Sequence, residues 1–99
     1  MSEHNLVRKI LKALRDSFPA DVWYKIYTGP YQERGVPDII GCHNGRFIGL
    51  EVKTPERARK DGPTKYQQLQ LKRIKKAGGI SAVVTSVPEA MDAIRKKKS

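Results

Sequence analysis

Between Ser2 and Phe18, apolar residues return every three or four positions, at Leu6, Val7, Ile10, Leu11, Leu14 and Phe18. That spacing predicts an amphipathic helix over 2–18. Ser2 serves as its N-cap, and Arg8, Lys9, Lys12 and Arg15 fall largely on the opposite face. Pro19 and Ala20 end it. Val22 to Thr28 is rich in aromatic and β-branched residues and reads as a strand. Trp23 and Tyr27 share a face of that strand and are expected in a core or an interface. The Gly and Pro content of 29–35 marks a loop. A second pair of strands then flanks Asn44-Gly45, and the polar stretch Thr54–Pro63 reads as a loop. A helix runs from Thr64 to about Ala77, stopped by Gly78-Gly79. Ile80–Thr85 is a strand. Ser86-Val87-Pro88-Glu89 has the form of a capping box, with Pro tolerated in the first turn. The last helix turns Val87, Ala90, Met91 and Ile94 to the core. The order is helix, three strands, helix, strand, helix.

Asn44-Gly45 fixes the middle of this pattern. A type I′ turn needs positive φ at both central residues, and Asn-Gly supplies it most readily. The resulting hairpin carries Asp38, Ile40, Cys42, Phe47, Gly49, Glu51 and Lys53 on one face, and Ile39, Gly41, Ile48, Leu50 and Val52 on the other. Both faces are largely apolar, so both are expected to be covered. The fold class is therefore α/β, a central mixed sheet flanked by helices. Cys42 reads as a small buried hydrophobe, and His43, at the turn, as solvated.

Composition adds a partner to this picture. The chain has 99 residues, enough for one domain (1–99), with 38% hydrophobic and 30% charged residues, a globular balance. No apolar run approaches a membrane span and no signal peptide opens the chain, so no membrane partner and a cytoplasmic setting are expected. A single cysteine excludes an internal disulfide and a cysteine-rich zinc site. Net charge is +10, which calls for a polyanion, most commonly nucleic acid. Nine of the 20 basic residues lie between Lys53 and Lys76, and Arg95-Lys96-Lys97-Lys98 opens a basic tail (95–99). That tail is either a solvated end or a nonspecific DNA contact.

The hairpin register supplies the chemistry. Counting outward equally from Asn44-Gly45 sets Asp38 opposite Glu51, on one face, with Cβ atoms about 4.5–5.5 Å apart. Lys53 lies two residues further on that face. Two opposed carboxylates repel each other, and burying them unpaired is costly. A divalent cation is the obvious compensation, and oxygen ligands suit Mg²⁺ or Mn²⁺. Glu3 has two readings, an acid favoured by the helix dipole or one aimed from the helix end at the metal. His4, beside it, is a possible neighbour of the site. Gln67 likewise has two, the cap of Thr64-x-x-Gln67 or a residue of the site. Arg34, Arg57, Arg59, Lys60, Lys65 and Lys72 form the expected DNA-contacting set, and Tyr31 is close enough in the chain to join Arg34 on a phosphate. Glycine-rich phosphate loops, a GxGxxG fingerprint and a Ser/His/Asp arrangement are absent.

Pro37-Asp38, twelve residues, then Glu51-Val52-Lys53 resembles the PD-(D/E)xK motif of restriction-endonuclease-like nucleases. Within that group the chain is similar to the virus-type replication-repair nuclease family, VRR-NUC. The further points of likeness are Glu3, Gly35-Val36-Pro37-Asp38, Leu50-Glu51-Val52-Lys53, Gln67 and Gly78-Gly79, spread over essentially the whole chain. The resemblance implies a restriction-endonuclease-like core and a metal-dependent, structure-selective DNA endonuclease. Its substrate would be branched duplex DNA such as four-way junctions, and the enzyme would act as a homodimer. It implies Asp38, Glu51, the Val52 carbonyl and Glu3 as metal ligands, and Lys53 as the residue that orients water or neutralises the phosphate. Gln67 would bond the lysine or the scissile phosphate. A non-catalytic nucleic-acid-binding module, or a nuclease subunit of a larger replication or repair complex, are the alternatives.

Overall fold

The computed structural model describes residues 1–27 and 29–95. The expected basic tail from Lys96 onward, and the end of the first strand at Thr28, lie outside them. The elements are α1 (Glu3–Ser17), β1 (Val22–Lys25), β2 (Ile39–His43), β3 (Arg46–Val52), α2 (Pro55–Lys60), α3 (Lys65–Lys76), β4 (Ile80–Val84) and α4 (Val87–Arg95). The strands form one sheet in the order β1-β2-β3-β4. β1, β2 and β3 are antiparallel, and β4 runs parallel to β3, so the sheet is mixed as expected.

The turn is built as its residues require. Asn44 has φ 50° and Gly45 φ 77°, and the strands pair His43 with Arg46, Cys42 with Phe47 and Ile39 with Leu50. One step beyond that last pair, Asp38 stands opposite Glu51. α1 and α4 cover one sheet face, burying Ile10, Leu14 and Ile94 on Trp23, Ile39, Ile48, Leu50, Val52 and Val84. Each such aliphatic side chain contributes about 1.5–3 kcal/mol by leaving water. Ser2 caps α1 by accepting the Asn5 N–H.

Several expectations are corrected. Thr54–Pro63 is not simply a loop, because Thr54-Pro55 starts a short helix, α2, in which Thr54 Oγ1 accepts the Arg57 N–H at 3.2 Å. Threonine at the N-cap followed by proline in the first turn is a helix start that charge content alone obscures. β1 ends at Lys25, so Trp23 is buried while Tyr27 is 76% exposed. At α4 half of the expected capping box forms: Ser86 Oγ accepts the Glu89 N–H at 3.2 Å, while Glu89 Oε1 accepts from Thr85 N and Oγ1 rather than from Ser86 N. His43 is not solvated. It is half-buried, paired through Nδ1 with Asp21 and edge-on to the Phe18 ring.

The second sheet face is only half covered. α3 packs on β3 and β4, with Leu71 as its one buried residue. A helix about 10–12 Å across spans roughly two strands spaced about 4.8 Å apart. Val22, Tyr24 and Phe47 on the remaining half are therefore exposed, and so is Cys42, which sequence reading assigns to the core.

Candidate metal-binding site

The site forms where β2 and β3 leave their shared ladder. Asp38 holds both sides of this point. Its backbone carbonyl accepts the Ile26 N–H at 2.8 Å, and its Oδ2 accepts the Val52 N–H at 2.7 Å. The side chain thus takes over a rung that the departing backbone no longer provides, and this fixes its direction. Glu51 follows on β3 and is buried. Lys53 is also buried, and its backbone N–H donates to Val84 O at 3.1 Å, extending the β3–β4 ladder by one residue. The strand geometry therefore sends Glu51 and Lys53 to the same face, under α3.

α3 reaches the site through Gln67. The capping box is formed in full: Thr64 Oγ1 accepts the Gln67 N–H, and Gln67 Oε1 accepts the Thr64 N–H at 2.8 Å. The other end of the same amide, Nε2, donates to Glu51 Oε2 at 2.7 Å. The two readings of Gln67 are both correct, because an amide carries an acceptor and a donor on one carbon. Its partner is Glu51, not the lysine. The loop before Asp38 is seated on the same helix turn. Gly35 has φ 78°, and a Cβ there would lie 2.3 Å from the Tyr66 carbonyl. Gln70 Nε2 donates to Arg34 O at 3.1 Å.

The electrostatics are those of an uncompensated acid pair. Burial pushes the Glu51 carboxyl up to about 8, helped by the nearby Asp38 carboxylate and by the charge of Glu3, with Lys53 opposing. Glu51 Oε1 and Glu3 Oε2 are buried without a hydrogen-bond partner. Such orphaned acceptors are unusual in folded proteins and call for a missing donor or cation. Among the described residues no three His, Cys, Asp or Glu side chains gather into a group able to hold a metal ion, so Glu3 does not join Asp38 and Glu51 in a three-carboxylate set. A hard cation of the Mg²⁺ kind uses one or two carboxylates and takes waters or substrate oxygens for the rest. Asp38 and Glu51 are the carboxylates that would hold it, with the Val52 carbonyl beside them. Glu3 lines a cleft in common with Asp38 and stands within 3.9 Å of Arg57 Nε.

Exposed basic residues lie on α2, which follows Lys53, and on α3, which carries Gln67. Arg57, Arg59 and Lys60 are exposed on α2, which begins two residues after Lys53. Lys65 and Lys72 are exposed on α3. Arg34 lies over the Tyr66 ring at 5.0 Å and donates to its hydroxyl at 3.1 Å. Tyr31 is fully exposed in the loop. Sequence reading missed the contribution of β1. Lys25 lines the cleft beside Asp38, and no periodicity distinguishes it from any other strand lysine.

No family model matches the sequence, and no curated protein matches it. A solved structure titled "VRR_NUC domain" does match in three dimensions, with a TM-score of 0.64 at 21% identity, over 92% of this chain and 96% of that one. The chain has the fold of that domain.

Proposed function

We propose that the chain is a divalent-metal-dependent DNA endonuclease of the VRR-NUC kind, selective for branched duplexes such as four-way junctions. The observation that carries this is the opposed Asp38–Glu51 pair, with orphaned buried oxygen atoms and a buried lysine on the same face. A Mg²⁺ or Mn²⁺ ion held there would supply a more acidic water and a Lewis acid for a phosphoryl oxygen. The protein's own residues do the rest. The Val52 N–H holds the direction of Asp38, and Gln67 holds that of Glu51. Lys53, kept dry beside them, orients the attacking water or offsets the charge that grows on the phosphate. Glu3 completes the acidic edge. Arg34, Arg57, Arg59, Lys60, Lys65 and Lys72 are the cations that seat the DNA backbone. The exposed free thiol of Cys42 fits a reducing, cytoplasmic setting. Labelled four-way junction, flap, duplex and single-stranded DNA, cut in parallel at equal concentration, test the selectivity. The junction should be cut fastest, and equal rates on linear duplex would remove the structure-selective part.

Gln67 gives a sharper expectation. Gln67→Glu keeps the acceptor for Thr64 N–H but meets Glu51 with like charge. Cleavage should fall about 10–100-fold, as for other residues that orient a metal ligand. The added carboxylate should also lower the melting temperature in EDTA, so cleavage is compared at a temperature where both proteins are folded. Full activity in this variant would separate Gln67 from the site.

A homodimer belongs to the same reading. Val22, Tyr24, Ile40, Cys42 and Phe47 form an apolar patch on the uncovered half of the sheet, with Arg46 and Arg73 beside Phe47 at its border. An exposed apolar face of this kind is suited to meet its own copy across a two-fold axis. Phe47→Glu is expected to convert a dimer into a monomer by light scattering, and an unchanged mass would exclude this face.

A further inference from the structure

A cleft of about 230 Å³ opens beside the carboxylates, lined by Glu3, His4, Lys25, Ile26, Tyr27 and Asp38. It lies between the first turn of α1 and the end of β1. Lys25 is its one ammonium group. The Lys25 Nζ sits 4.9 Å above the Tyr27 ring centroid and 3.2 Å from His4 Nδ1. Glu3 and Asp38 line the same cleft, yet Lys25 pairs with no carboxylate among the described residues. An ammonium group has donors only, so His4 Nδ1 must accept. The remaining ring nitrogen of a neutral His4 then carries its hydrogen. Two lysine N–H groups and one imidazole N–H are left unclaimed, one wall away from the metal-binding carboxylates.

That array matches the oxygens of a phosphodiester. Lysine binds phosphate as a point charge with rotatable donors. The tyrosine face holds the ammonium group in place through its negative quadrupole. We propose that Lys25, supported by His4 and Tyr27, binds a phosphate adjoining the one attacked, and so sets which bond is brought to the carboxylates. This rests on the nuclease reading for its second half only, since the phosphate contact exists with or without cleavage. Lys25 is then a positioning residue. It fixes the strand in register, and its loss weakens binding of the substrate more than it alters the chemical step.

Two measurements on the full chain test it. Duplex and junction DNA are first titrated in EDTA across a range of salt, with the unmodified chain, Lys25→Ala and Lys25→Arg. The slope of log K against log salt should fall by about one phosphate's worth in Lys25→Ala and recover in Lys25→Arg. An unchanged slope in Lys25→Ala overturns the contact, whether or not the protein cuts DNA. Cleavage is then followed with Mn²⁺ on substrates bearing a neutral methylphosphonate at successive positions around the cut. The unmodified chain should slow by about tenfold or more at one flanking position, while Lys25→Ala, already slowed through KM, no longer responds there. The same positional profile in both proteins overturns the assignment. If DNA is bound with the expected slope change but never cut, the nuclease reading fails and the phosphate site stands. Thermal melts of the variants should match the unmodified chain, because Lys25 ends an edge strand.

Discussion

Replacement of Asp38, Glu51 or Lys53 by alanine is expected to reduce DNA cleavage by at least about 10²–10³-fold, the loss typical of a preorganised charged group at a reacting centre. DNA binding should survive. Asp38→Ala removes a negative charge from a surface that must approach phosphates, and Glu51→Ala removes a carboxyl that is neutral below about pH 8 in metal-free protein, so affinity in EDTA stays level or rises. The fold responds differently at the two acids. Asp38→Ala leaves the Val52 N–H without its acceptor, at a cost of about 1–3 kcal/mol. Asp38→Asn keeps an oxygen for that N–H while removing the charge, so it separates chemistry from stability. It should melt near the unmodified protein and still fail to cut. Lys53→Arg is not expected to rescue Lys53→Ala, because a planar guanidinium does not fit a buried site shaped for a compact ammonium. Cleavage is measured in single turnover and binding by anisotropy. Activity persisting in all three alanine variants would refute the assignment.

The second large effect concerns stability and pH in metal-free protein. The Glu51 carboxyl is pushed from its ordinary 4.5 up to about 8. Folded protein therefore holds a proton across that interval which unfolded chain has already lost. Native protein binds more protons there, so stability falls as pH rises. The contribution is fully present below about pH 4.5 and gone once pH passes about 8. Its size is roughly 3–5 kcal/mol, enough to move the melting temperature by about 10 °C or more in a domain of this length. Glu51→Gln carries a permanently neutral group and should flatten the difference between pH 5 and pH 8. Saturating Mg²⁺ or Mn²⁺ should also restore stability at pH 8 in the unmodified chain, and do so far less in Glu51→Gln. Melts in EDTA that run parallel for the two proteins from pH 5 to 8 would contradict this account of the buried pair.

Local chemistry was readable where a few adjacent residues decide the outcome. Asn44-Gly45 forces a two-residue turn, and the turn forces Asp38 opposite Glu51. Ser2 and Thr64 announce their helices through the caps they form. Gln67 was ambiguous for a physical reason: sequence shows a capping box, but the Glu51 contact depends on α3 crossing β3 at one particular angle. The misjudged residues all turn on long-range packing. Cys42 and Phe47 alternate correctly for a buried face, and only the narrow span of α3 leaves them exposed. His43 finds Asp21 across β1 and β2, 22 residues away in the chain. Lys25 and His4 meet because α1 returns over β1, which no spacing within either element foretells. α2 is the exception, since Thr54-Pro55 was a readable start masked by the charges that follow.

On the reading proposed above, a divalent cation held by Asp38 and Glu51 turns a DNA-binding fold into a hydrolytic one. End-labelled four-way junction DNA is incubated with the purified chain in Mg²⁺, in Mn²⁺ or in EDTA. Discrete cuts are expected with either or both metals and none in EDTA. Tight binding of the junction with no cut in either metal, or cuts that continue undiminished in EDTA, would contradict that reading.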